Sequence, residues 1–148
     1  MTFEDDAALA AHVQALLDAT LPKARWTHQG HVAATAGLML LHPELVPEQA
    51  LPGLIRRLND SHGVPNNDMR GYHHTITLFF VAALRNALAA DDATAPPHVR
   101  VNTLLAGPLG TGKRIMAAHW SESVLFSVAA RRGWVAPDLA PLSYPIGG

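Results

Sequence analysis

The sequence predicts an all-α fold, a single irregular bundle of five to seven helices. Three observations carry that prediction. Alanine and leucine, both strong helix formers, are the commonest residues at 25 and 20 copies. β-Branched residues are scattered and never alternate over a long run, so no strand pattern is present. Proline and glycine fall between apolar segments of helical length. The chain has 148 residues, 49% hydrophobic and 16% charged. That size and composition suit one domain over 1–148 and exclude extensive disorder.

The first helix is expected over about Phe3 to Thr20, capped by Thr2 with Asp5 placed for a capping box. Leu9, Val13, Leu16 and Leu17 form its apolar stripe, and Pro22 marks the break. The second is expected from Trp26 to Leu41, ended by Pro43. The third runs from Pro47 or Glu48 to His62, with Leu51, Leu54, Ile55 and Leu58 on its buried face and Gly63 as C-terminal cap. Pro52 falls inside it. A turn-rich loop, Gly63 to Gly71, leads to a fourth helix from Tyr72 to Ala90, apolar nearly all round as a central bundle helix would be. A short helix is expected over Val99 to Ala106, and a last one from a Ser121 cap to near Arg132. From about Trp134 the tail is extended, with Trp134, Leu139 and Leu142 laid against the bundle.

The longest strictly apolar run, Leu78 to Leu84, is far below the roughly 20 residues that span a bilayer. The acidic Phe3-Glu4-Asp5-Asp6 opening is unlike a signal peptide, so a soluble, cytoplasmic protein is expected. Net charge is −1. Basic residues pair only at Arg56-Arg57 and Arg131-Arg132, read as solvated helix ends, so no nucleic-acid stripe is expected. Cysteine is absent, which removes disulfides, thiolate metal sites and cysteine nucleophiles. Nine histidines stand against eleven lysines and arginines, only two of which are lysines, Lys23 and Lys113. Histidine is therefore the expected carrier of chemistry.

His28 and His31 are one turn apart on the second helix, so both project from one face, which Thr35 continues. Imidazoles on adjacent turns chelate a divalent ion; solvated helix-start histidines are the plainer alternative. His73 and His74 open the fourth helix, where adjacent residues diverge by about 100° and only one can join a shared site. Thr77 lies one turn beyond His73. Asn59-Asp60-Ser61-His62, ending the third helix, could face the same seam, although helix-end solvation explains the run more simply.

Gly107 to Lys113 fits the spacing of a phosphate loop, but Arg114 stands where Ser or Thr should hold magnesium, and no strand pattern precedes it. A Gly-rich turn is the expected reading, with no phosphate-loop or nucleotide site; unspecific anion binding at the helix start near Lys113 is the alternative left open. The G-x-S-x-G, H-E-x-x-H and E-x-x-H signatures are absent.

Trp26-Thr27-His28-x-x-His31-Val32 and Gly71-Tyr72-His73-x-Thr75-Ile76-Thr77 resemble a group of small uncharacterised all-helical bacterial proteins. Ser121, Leu125, Ala130-Arg131, Trp134 and Pro137-Asp138-Leu139-x-Pro141-Leu142 extend the similarity over most of the chain. The group's pattern has Glu where this chain has His74. The resemblance brings no activity; it implies that His28, His31 and His73 belong to one site.

The expectation is a metal-dependent enzyme or metal-binding helical protein, with His28, His31 and His73 around Zn²⁺, Fe²⁺ or Ni²⁺ between the second and fourth helices. Tyr72, His74, Thr77 and Asp60 are the further candidates. The alternative is a non-enzymatic helical module that binds a small ligand or a partner protein. The sequence indicates no substrate, reaction or oligomeric state.

Overall fold

A computed structural model describes residues 1–147. Among them the chain is all-helical, a single compact domain with no strand. Seven α-helices follow in order: α1 (Asp6–Leu17), α2 (His28–Leu41), α3 (Pro47–Ser61), α4 (His74–Ala90), α5 (Pro97–Ala106), α6 (Glu122–Leu125) and α7 (Val128–Arg132). Three 3-10 segments, Lys23–Arg25, Pro108–Gly110 and Lys113–Ala118, fill connections. No described helix is long and apolar enough to cross a membrane.

Helix α2 is the hub, in contact with α1, α3, α4 and α5. Its small residues make this possible. Ala33, Ala34 and Ala36 are fully buried, and a Cβ on Gly37 would lie 2.6 Å from a Val13 methyl. Small side chains let neighbouring helices approach the α2 axis, and larger ones on α1 and α4 fill the gaps. Leu9, Val13, Leu16, Leu38, Leu58, Phe79 and Leu84 form the centre of the core. Leu54, expected among them, is only half-buried and packs at the core's edge.

Helix starts depend on short-range capping, and several differ from expectation. Asp5, not Thr2, caps α1: its carboxylate accepts the Ala8 N–H at 2.7 Å. Thr27 caps α2 through Gly30 N–H. His73 is the cap of α4 rather than part of its first turn. The predicted last helix is two helices, because Ser127 accepts the Ala130 N–H and donates to Val124 O. A serine that bonds its own backbone this way starts a new helix instead of continuing the old one. Ser121 makes no side-chain cap bond.

The tail beyond α7 is strapped to the body. Trp120 Nε1 donates to Val135 O at 2.9 Å, and Leu139 N donates to His119 O at 2.9 Å. Trp134 and Leu142 pack on the core as expected, but Leu139 points away and is 59% exposed. The arginine pairs are structural rather than simply solvated. Arg131 donates to the carbonyls of Gly71 and Tyr72, Arg132 forms a bidentate pair with Asp68, and Arg56 lies 4.4 Å over the Tyr72 ring.

Candidate functional site

A cavity of about 410 Å³ lies between α2, α3 and α4. One turn spacing puts His28, His31 and Thr35 of α2 on its wall, together with Val32. Helix α3 contributes Ile55 and Asn59, with His62 just past its end, and α4 contributes Ile76, Thr77 and Phe80. Tyr72 and His73 enter from the loop before α4, and Trp26 from the turn before α2. Five of the seven sequence candidates, His28, His31, His73, Tyr72 and Thr77, therefore share one cavity.

Asp60 and His74 do not line it. Asp60 is exposed, and its carboxylate accepts from Asn66 Nδ2. The neighbouring Asn59 takes the inner position, because α3 turns its buried face one residue earlier. His74 is hydrogen-bonded through Nδ1 to the Tyr72 hydroxyl at 2.7 Å.

Sharing a cavity does not make His28, His31 and His73 a ligand set. His28 Nε2 donates to Leu109 O at 2.8 Å. His73 has both nitrogens in use: Nε2 donates to Leu125 O at 2.7 Å, and Nδ1 accepts the Ile76 N–H at 3.2 Å. Among the described residues no three His, Asp or Glu side chains converge as metal ligands would. Three of the six ring nitrogens in the expected site are thus already bonded within the protein, one of His28 and both of His73.

Among the nine histidines one stands apart. His12, His28, His62, His73 and His119 each donate to a backbone carbonyl of another segment. His42 and His98 pair with Glu44 and Asp6, and His74 with Tyr72. His31 alone has no hydrogen-bond partner for its ring among the described residues. It lies flat against Trp26, centroids 3.5 Å apart and planes 22° apart, with its edge in the cavity. Burial, then the Lys113 charge, then His28 lower its pKa to about 3. The ring is neutral at ordinary pH, with one donor and one acceptor free.

Two residues that spacing did not bring to the site complete it. Lys23 lines the cavity from the first 3-10 segment. Lys113 reaches it because the Gly107–Gly112 turn is tied down on α2. His28 holds Leu109 O, Gln29 Nε2 donates to Gly110 O at 3.3 Å, and Gly110 lies so close to Leu105 that a Cβ would meet its carbonyl at 2.0 Å. The segment is a turn between helices, as the missing strand context predicts.

Asn66 braces Asn59 and Tyr72. Its Oδ1 accepts from Tyr72 N and Asn59 Nδ2, both at 3.0 Å, and Asn59 Oδ1 accepts from Trp26 Nε1. Gly71 is required beside it: its φ is +80°, and a Cβ would come within 2.4 Å of Pro65 O. The GVPNNDMRG stretch read as a plain turn is therefore the brace that positions Trp26 and Tyr72.

No protein-family model, curated protein or solved structure matches the chain.

Proposed function

We propose that this protein is a helical binding module that takes a small organic molecule into the cavity between α2, α3 and α4. The observation that carries the proposal is His31, a neutral, unpartnered imidazole stacked on Trp26 with its edge in that cavity. The ring is half-buried on the cavity wall; where the other eight histidines bond within the protein, its donor and acceptor are left for an outside partner. The volume falls at the lower end of small-molecule sites, and the wall combines apolar and aromatic surface with few polar groups, as such sites do.

Recognition fits His31 better than general-base catalysis. A base works best with a pKa near the operating pH, and a value of about 3 makes this imidazole a weak proton acceptor. Trp26 gives a direct readout. Carboxylate, amide and alcohol fragments on an aromatic ring should be titrated against tryptophan fluorescence and amide NMR shifts. Saturable shifts centred on Trp26, Thr35 and Tyr72, lost in His31→Ala but kept in His42→Ala, support the reading. Shifts scattered over the surface, or equal in both variants, overturn it.

A second reading, a divalent ion on His28 and His31, is favoured by their one-turn spacing on a common cavity wall. It supplies two protein ligands rather than three, since both His73 nitrogens are in use.

A further inference from the structure

We infer that the molecule taken into this cavity is an anion, its negative group held by Lys113 and Lys23. The inference rests on the cavity reading above and adds the charge of the occupant.

The placement of charge is one-sided. The chain has two lysines, and both line this cavity. No aspartate or glutamate among the described residues lines it. The ion pairs among the described residues take their cations from His42, Arg85, His98, Arg100 and Arg132, never from a lysine. Arginine thus does the structural pairing, and the lysines keep free ammonium groups at the cavity.

The surrounding groups reinforce that sign. Arg131 and Arg56 stand behind the wall, bound to Tyr72 by its carbonyl and its ring face. Burial first, then the Arg131 charge, lower the Lys113 pKa. Its ammonium lowers His31 in turn. An anion beside Lys113 relieves both effects, since an opposite charge favours the charged form. The neutral His31 adds a hydrogen-bond donor at the same wall.

The rest of the wall sets the body of the ligand. Trp26, Phe80, Ile55 and Val32 offer apolar surface. A flat apolar body bearing one acidic group matches this division. The acid is a carboxylate or a phosphate monoester, both of which accept charge-assisted hydrogen bonds from lysine.

Three probes test this on the full chain by calorimetric titration: 2-naphthoate, the neutral 2-naphthylmethanol with the same ring, and phenyl phosphate. We expect 2-naphthoate to bind about tenfold or more tightly than the alcohol, the advantage of a hydrogen bond to a charged group. Added salt should narrow that gap. Lys113→Met and Lys23→Met, which keep an apolar stem, should each weaken 2-naphthoate several-fold and leave the alcohol unchanged. Phenyl phosphate binding more tightly than 2-naphthoate supports the inference with a phosphate occupant, and the reverse order supports it with a carboxylate. Equal affinity for 2-naphthoate and its alcohol overturns the charge inference and leaves the cavity reading standing. No binding of any of the three overturns both.

Discussion

His73 joins two distant parts of the chain: its Nε2 donates to the Leu125 carbonyl at 2.7 Å, 52 residues away in sequence. Through Nδ1 the same ring caps α4 at Ile76. One imidazole thus fixes the start of the central helix and anchors α6 against it. The dual use sets its tautomer, with the proton on Nε2, and burial holds its pKa below the usual histidine value.

His73→Ala should destabilise the protein by about 2–4 kcal/mol, the sum of a lost cap and an unpartnered carbonyl. His73→Asn keeps a capping acceptor and should recover about 1 kcal/mol of that loss. Urea denaturation of the three proteins measures both. A loss below about 0.5 kcal/mol in His73→Ala would contradict the structural role.

Stability should fall as pH drops from 6.5. His31 has a folded pKa of about 3 against 6.5 in the unfolded chain, so over that window the unfolded state binds a proton that the folded state refuses. His12, His73 and His74 are lowered in the same direction by burial. Between pH 6.5 and about 4.5, above most carboxylate titration, His31 alone should remove about 2–3 kcal/mol. His31→Gln should flatten this slope in denaturant melts taken across the window. An unchanged slope would show that His31 titrates normally in the folded protein.

Elemental analysis of untagged protein separates the two functional readings. Binding of an organic molecule predicts no stoichiometric zinc, iron or nickel after dialysis against the metal. Stoichiometric metal, lost in His28→Ala and His31→Ala but retained in His12→Ala and His98→Ala, would restore the metal reading. Loss in His73→Ala as well would mean that its ring leaves Leu125 to bind the ion.

Phe79→Ala should cost about 3–5 kcal/mol, since the ring is fully buried and meets Phe80 and Trp120 edge-on at 5.1 and 5.5 Å. Leu54→Ala should cost less than half as much, because Leu54 is only half-buried at the edge of the core. Thermal melts that rank Leu54 above Phe79 would invert the assigned faces of α3 and α4.

The sequence by itself determined the all-α class, the order and approximate bounds of the five longer helices, and most of the core. Those properties follow from periodicity, proline placement and short polar side chains, which act within a few residues. One-turn spacing on α2 also put His28, His31 and Thr35 on one face, whereas Tyr72 and His73 reach the same cavity from the loop before α4, which spacing alone did not place. Only the tertiary structure decided what each ring does. The partners of His28 and His73 are the main-chain carbonyls of Leu109 and Leu125, and a carbonyl belongs to every residue, so no side-chain pattern marks it. The arrival of Lys113 depends on a turn tied to α2 by those same backbone bonds. Local rules placed His28 and His31 on one wall of α2; a long-range bond to the Leu109 carbonyl occupied His28, and so left His31 to face a ligand.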